Sequence, residues 1–311
     1  MARRLLSRLP RTLVLAILLG WLAYTFASWF LVWNPADAGA YYDAAIRLTR
    51  GEPLYPSVHP EAHEVYRYAP WFAVAWIPLT ALPRDTALHL WSLAMLACAG
   101  AAVWPLLRRP TWTSVSLAAL VGQTLVETAM FGNAHPLVVA ALVWTVGWRT
   151  FPVWVGVAAS IKLVPLALVI VWATRRQWRP SVVATGMAAI LFAPMLLFDL
   201  RAYVTDPGSG LLSLYAVSPE LWAVTAILAT FGTAVLAIRR SPYAWVAAAA
   251  LMFVGPPRVV LSYLAFLPVG YELARRERAG VREPAQESAG TRSGSSTSVV
   301  SSGRSSAGPM K

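Results

Sequence analysis

Apolar segments long enough to cross a lipid bilayer recur along most of this 311-residue chain. A hydrocarbon core about 30 Å thick needs roughly 20 apolar residues for one helical crossing, and the missing water there favours helices. Hydrophobic residues make up 58% of the sequence, and the mean hydropathy is +0.56. These features predict an all-α, polytopic membrane protein rather than a soluble domain.

Arginine clusters set the predicted topology. They stand between apolar runs, as at residues 108–109, 175–179 and 239–240, which is the pattern of cytoplasmic loops. This short-cluster pattern argues against a nucleic-acid partner despite the net charge of +12. If every cluster is cytoplasmic, so are both termini, and the chain has about ten spans in the cell membrane. The predicted spans are residues 12–33, 86–107, 112–131, 134–148, 151–162, 163–173, 181–198, 220–238, 243–255 and 259–274.

One apolar run, residues 69–82, does not fit as a crossing. It is short, it contains Pro70 and Pro78, and counting it would place residues 108–109 outside. We predict an outer interfacial or re-entrant helix. The membrane domain is then residues 1–276, with an extracytoplasmic loop at 34–68. Residues 277–311 are rich in Ser, Gly and Arg and predict a disordered cytoplasmic tail.

The sequence contains few residues that could form a metal site, a nucleotide-binding loop or a disulfide. Cys98 is the single cysteine, so an intramolecular disulfide and a thiolate metal site are excluded. His59 and His63 have an i, i+4 spacing that could suit a metal, but the carboxylates form no chelating cluster. Neither a Walker loop nor GxGxxG is present. We therefore predict no metal and no cofactor.

Carboxylates gather in the predicted outer loop. A carboxylate beside a bilayer is costly unless it is solvated or paired, so Asp37, just past the first span, is a candidate general base. The alternative is an N-cap of the helix "AGAYYDAAIRLTR". Asp43 lies roughly 240° further around such a helix. It fits a solvated face, where it could pair with Arg47.

Aromatic, amide and basic groups complete the predicted outer face. The tyrosines could form an interfacial belt or the wall of a sugar or lipid site. Lys162 has apolar neighbours and needs an anion or a structural partner, while Arg258 could be an interfacial anchor. The turn "FGNAHP" offers Asn133 and His135, or is only a turn. The tyrosines in question are Tyr41, Tyr42, Tyr55, Tyr66 and Tyr68.

One carboxylate and several cations at one face fit transfer from a lipid-linked phosphosugar. A carboxylate can accept the proton of the acceptor hydroxyl as its oxygen attacks the sugar. Arginine or lysine can stabilise the phosphate that leaves.

Four segments follow one another along the chain: "D-x3-YY-x-AA-x5-GEPLYP", "YRYAPWFAVAWIPLTALP", "FGNAHPLVVAAL" and "GVAASIKLVPLALVIVWATRRQWRP". In this order they resemble glycosyltransferase family 87, the polyprenol-phosphate-mannose-dependent α-1,2-mannosyltransferases of the membrane-embedded GT-C class. The resemblance runs from Asp37 to Pro180, with a weaker echo at "PPRVVLSYL".

The resemblance implies roles for particular residues. Asp37 matches the catalytic base, and Lys162 matches the family's intramembrane lysine. Tyr66 and Tyr68 fall on its "Y-x-Y-x-P" element. Its "GQxN" turn is altered here to "GNAH".

The resulting hypothesis is inverting transfer of mannose, or a related sugar, from a polyprenyl-phosphate donor to a lipid or glycan acceptor at the outer face, among membrane lipids. A multispan transporter would show internal repeats and polar residues spread through several spans, and a scaffold for cell-envelope lipids or glycans would need neither Asp37 nor Lys162. The expected donor or phosphate contacts are Lys162, Arg258, Tyr66 and Tyr68, and the expected acceptor or sugar contacts are Tyr41, Asp43, Asn133 and His135.

Overall fold

A computed structural model of the chain describes residues 2–31, 33–55, 65–108, 110–201, 203, 214–257 and 261–279. These residues form helices and no strand, so the predicted all-α class is confirmed. The α-helices are α1 (Ala2–Leu31), α2 (Ala36–Thr49), α3 (Pro70–Trp76), α4 (Arg84–Leu107), α5 (Trp112–Met130), α6 (His135–Thr145), α7 (Phe151–Ile161), α8 (Ala167–Thr174), α9 (Trp178–Phe192), α10 (Leu214–Val217), α11 (Pro219–Ile238), α12 (Tyr243–Val254) and α13 (267–279). Short 3₁₀ segments lie at Ile77–Ala81, Val164–Leu166, Ala193–Leu197 and Leu261–Phe266.

Four segments of the described chain are long and apolar enough to cross a membrane. Five further apolar helices have only 10 to 17 residues. Helices therefore form where the sequence predicted spans, but the number ten stays a prediction, as do the orientation and the GT-C architecture. The four long segments are Thr12–Trp29, Arg84–Leu107, Trp178–Leu197 and Pro219–Ile238.

The run at residues 69–82 is broken rather than continuous. Helix α3 has seven residues and changes to a 3₁₀ segment that has Pro78 in its first turn. Phe72 and Trp76 are buried against α2, while Val74 on the opposite side is 52% exposed. Proline has no backbone N–H to donate, so Pro78 cannot continue the hydrogen-bond pattern of α3. An interfacial or re-entrant helix remains our prediction for this segment.

Small residues let the helices approach closely in the core. A Cβ atom on Gly156 of α7 would lie 2.5 Å from the backbone oxygen of Ala184 on α9. A Cβ on Gly270 of α13 would lie 2.5 Å from the backbone oxygen of Trp245 on α12. Membrane helices gain most of their association energy from such packing, since lipid is as apolar as their side chains.

One end of the bundle is tied together by Arg175 and Glu277. The Arg175 guanidinium donates to the Glu277 carboxylate at 2.9 Å and to the Ser241 carbonyl at 2.8 Å. Trp245 Nε1 also donates to Glu277, at 2.6 Å. The predicted tail boundary at 277 thus falls inside α13, which continues to residue 279. Residues 280–311, the rest of the predicted tail, lie outside the described residues.

Candidate active site

Asp37 is the second residue of α2. Pro35 occupies the N-cap position and no side chain caps this helix, so the N-cap interpretation of Asp37 is wrong. The backbone N–H of Asp37 donates to the carbonyl of Phe131 at 3.0 Å, which ties the start of α2 to the end of α5. Its carboxylate lies in the first turn, where the helix dipole stabilises negative charge.

The turn between α5 and α6 holds the Asp37 carboxylate. Asn133 Nδ2 donates to Asp37 Oδ2 at 2.9 Å, and Asn133 Oδ1 accepts from the backbone N–H of His135 at 2.9 Å. The second bond fixes which end of the amide faces Asp37. Gly132 has φ +67°, and a Cβ atom there would lie 2.5 Å from Ala38 Cβ. Only glycine allows both that backbone conformation and this close approach.

Two tyrosine hydroxyls continue the hydrogen-bond network. Tyr41 donates to Tyr68 at 2.8 Å and accepts from the backbone N–H of Ala134 at 3.3 Å. Asn133 Nδ2 lies 3.5 Å from the Tyr68 hydroxyl. Burial raises the pKa of Tyr41 well above its usual value and also raises that of Tyr68. Both therefore stay protonated, and because the Tyr68 oxygen accepts from its neighbours, its own proton can be donated to a substrate.

Lys162 stands at a break in the helices beside this network. Helix α7 ends at Ile161, and Lys162 has extended backbone angles. Its ammonium lies 5.6 Å from the centroid of the Tyr263 ring. The same charge opposes the effect of burial on the pKa of Tyr68, so it acts within the Asp37 network. An ammonium group combines a full charge with three N–H donors, which suits it to binding an anion.

Residues 66–212 match glycosyltransferase family 87. The match covers slightly less than half of the chain and contains Tyr68, Asn133 and Lys162, while Asp37 precedes it. It supports a glycosyltransferase. No curated protein and no solved structure gives a significant match. The matched segment therefore contains all of the polar side chains around Asp37 except that of Tyr41.

An apolar cavity of about 230 Å³ opens next to the polar network around Asp37. It lies among α3, α4, α6 and α7, and its walls include Trp71, Phe72 and Trp91. The rings of Phe72 and Trp91 lie 5.0 and 6.2 Å from that of Tyr41. An aromatic wall of this kind is suited to an isoprenoid or acyl chain.

Two of the predicted contact residues are buried and hydrogen-bonded to backbone carbonyls. The His135 side chain is fully buried, and its Nε2 lies 2.8 Å from the Ser262 carbonyl, which it reaches as a donor. Tyr66 is 2% exposed and donates to the Ala69 carbonyl at 2.7 Å. His135 therefore joins α6 to the last 3₁₀ segment, and Tyr66 holds the chain entering α3.

The remaining predicted contacts lie away from Asp37 or outside the described residues. Asp43 pairs with Arg84 at 3.3 Å, not with Arg47, and both side chains are more than one-third exposed. Arg258 lies outside the described residues. The structure thus brings together Asp37, Asn133, Tyr41, Tyr68 and Lys162.

Sequence reasoning missed Trp91 and Tyr263. Trp91 Nε1 donates to the carbonyl of Gly132 at 2.7 Å and so supports the turn that positions Asn133. Tyr263 packs beside Lys162 and also near the ring of His135, at 5.8 Å. Trp91 lies inside an apolar run and carried no signal of its own. Tyr263 lies in "PPRVVLSYL", the late echo of the family 87 pattern, and that echo was its only signal.

Proposed function

We propose that this chain is an inverting glycosyltransferase. It moves mannose, or a related sugar, from a polyprenyl-phosphate donor to a hydroxyl of a lipid or glycan acceptor at the outer membrane face. The observation that carries the proposal is the Asp37 carboxylate, which accepts from Asn133 at 2.9 Å and lies beside Tyr68, the hydroxyl on which the charge of Lys162 acts. The family 87 match to the adjoining segment supports the same reaction class.

Asp37 serves as the general base in the proposed reaction. The acceptor oxygen attacks the sugar C1 from the face opposite the phosphate, and the C1–O bond to the phosphate breaks with its electron pair. The acceptor proton passes to the Asp37 carboxylate. Asn133 binds one carboxylate oxygen, Oδ2, and fixes the side chain, so Oδ1 can receive the proton. Such positioning of a base is a large part of the rate enhancement.

Lys162 and Tyr68 serve the leaving group. Breaking the C1–O bond puts a second negative charge on the polyprenyl phosphate. The Lys162 ammonium and the Tyr68 hydroxyl proton can both stabilise that charge in a region with little water. Tyr68 is held for this purpose at its backbone as well, since its carbonyl accepts from the Tyr55 hydroxyl at 2.8 Å.

The donor's hydrocarbon chain would lie in the apolar cavity among α3, α4, α6 and α7. The cavity adjoins the Tyr41 ring, so a chain bound there places its phosphate at the polar network. Burying an isoprenoid chain contributes about 25 cal/mol per Å² of apolar area. The apolar cavity then binds the hydrocarbon chain, and the neighbouring polar network carries out the reaction.

Asp37→Asn tests the proposal. The amide keeps the size of the side chain but cannot accept the proton, so we expect transfer from a radiolabelled polyprenyl-phosphate mannose donor to fall about 10²- to 10⁴-fold. Asp43→Asn is the matched control, because Asp43 is on the same helix but pairs with Arg84 at a half-exposed position. It should retain transfer.

The two variants are to be compared at equal amounts of folded protein in membranes. Full activity of Asp37→Asn would overturn the assignment of the base. If the wild-type chain instead moves the intact lipid-linked sugar across vesicles and forms no glycosylated product, a transporter is the better description.

A further inference from the structure

A second cavity, lined by charged side chains, lies at the other end of α6. It has a volume of about 220 Å³ and is lined by the last turns of α4 and α6, the first turn of α5 and one side of α13. His135 of the Asp37 end and Trp144 of this cavity are nine residues apart on α6, which is about 13 Å along the helix axis. The cavity is therefore separate from the candidate active site.

Three guanidinium groups and one carboxylate line this cavity. Arg275 donates to Glu272 through two nitrogens, at 2.6 and 2.7 Å, and Arg276 donates to it at 3.0 Å. Arg108 also lines the cavity. Each guanidinium has five N–H donors, and Glu272 uses only some of those on Arg275 and Arg276. The excess positive charge and the remaining donors suit a phosphate group.

The cavity holds Arg108 and Arg276 in place. The guanidinium of Arg108 lies 5.8 Å from the Trp104 ring and 5.5 Å from the Trp144 ring. Arg276 packs over Gly147, which has φ +85°, and a Cβ atom at that position would overlap the guanidinium. The two arginines thus approach the cavity from different elements, each against a fixed surface.

The aromatic residues indicate that this cavity lies at the level of lipid headgroups. Trp104, Trp144 and Trp148 are 50%, 41% and 57% exposed. Exposed tryptophans next to arginines are typical of the border between hydrocarbon and water. Basic pockets between helices at that level bind acidic lipid headgroups.

We propose that the cavity formed by Arg108, Arg275 and Arg276 binds the phosphate of an anionic membrane phospholipid. The lipid tails lie along the exposed tryptophans, and the phosphate accepts from the guanidinium groups that Glu272 holds together. This site is independent of the sugar transfer proposed for the Asp37 end.

Native mass spectrometry of the full chain in a neutral detergent tests the proposal. The chain is titrated with phosphatidylglycerol, with phosphatidylcholine, and with phosphatidylglycerol in the presence of inorganic phosphate. We expect phosphatidylglycerol to bind more tightly than phosphatidylcholine and inorganic phosphate to compete weakly. Arg276→Gln and Arg108→Gln should each weaken phosphatidylglycerol binding about fivefold, the effect of one cation near an anionic surface.

Arg239→Gln is the matched control, since Arg239 is exposed and does not line the cavity. It should leave binding unchanged, as should Asp37→Asn. Equal binding of the two lipids, or an equal loss in Arg239→Gln, would overturn the proposal in favour of general attraction to positive charge. Inorganic phosphate that competes at the lipid's own concentration would overturn it in favour of a free-anion site. Thermal unfolding of each variant verifies that it is folded.

Discussion

The two ends of α6 use polar groups in different ways. At its start, Asn133 connects the Asp37 carboxylate and the Tyr68 hydroxyl to a buried turn through directional hydrogen bonds. At its end, the cavity gathers exposed guanidinium groups around Glu272. Directional bonds to buried partners fix the position of one atom, as a general base requires. Exposed cations supply charge with little geometric precision, which is sufficient for holding a headgroup.

The difference extends to what a substitution should cost. Among the ion pairs of the described residues, Arg175 is the most deeply buried arginine, with 6% of its side chain exposed, and it lies at the arginine-rich end. At the Asp37 end, Phe131 and Asn133, which hold Asp37, both belong to the turn between α5 and α6. Stability and activity should therefore respond separately, and three further substitutions test that separation.

Glu277→Ala should have the largest effect on stability. It leaves the buried Arg175 guanidinium without its carboxylate and Trp245 without its acceptor. Loss of one partner of a buried pair should lower the free energy of unfolding by about 3 kcal/mol. Denaturant unfolding in micelles measures this change. Glu52→Ala is the control, because its contact with Arg50 is 3.9 Å long and half exposed. Sugar transfer per folded molecule should not change in either variant, and a specific loss in Glu277→Ala would show that the two ends are coupled.

Gly132→Ala should lower the free energy of unfolding by about 2 kcal/mol. The substitution strains a residue with φ +67° and forces its Cβ against Ala38. Gly51→Ala is a close control, since Gly51 has φ +68° but no described atom lies within 4 Å of where its Cβ would be. It should cost only about 1 kcal/mol, the conformational part. Equal costs in the same unfolding assay would mean that the Gly132 turn does not press on α2.

Asn133→Ala should have the smallest free-energy effect but a specific one. Without the amide, the Asp37 carboxylate loses its hydrogen bond and its orientation, so transfer should fall about tenfold with folding retained. Asn34→Ala is the control, since Asn34 is the other asparagine of the chain and is exposed. Kinetics with the labelled donor and a saturating acceptor measure the effect. Unchanged turnover in Asn133→Ala would remove Asn133 from the site.

Local sequence rules predicted part of the candidate site. The position of Asp37 at the start of α2 followed from the apolar run before it and the helical pattern after it. Its partner Asn133 is 96 residues away, and no local periodicity connects the two. The i, i+4 rule favoured Arg47 for Asp43, but Arg84 begins α4 beside α2 and makes the pair instead. Tertiary packing decides such choices between partners.

The tyrosines and the apolar runs also show that local sequence patterns do not determine tertiary contacts. Tyr66 and Tyr68 belong to one motif, yet Tyr66 donates to a backbone carbonyl while Tyr68 joins the Asp37 network. Hydropathy placed most helices within a few residues of their observed bounds, but α1 begins ten residues before its predicted span and the span 259–274 is divided between a 3₁₀ segment and α13. Hydropathy does not decide which helices cross a membrane, because burial inside the bundle requires the same apolar composition as contact with lipid.

The double attachment of Asp37 has a consequence for where this chain can change in length. Its backbone N–H is fixed to Phe131 and its carboxylate to Asn133, so two short segments far apart in sequence set one position. Adding or removing a residue in either segment would shift the base relative to its partner. Glu52 and Pro53 are exposed and make neither attachment, so an added residue between them is expected to leave Asp37 in place.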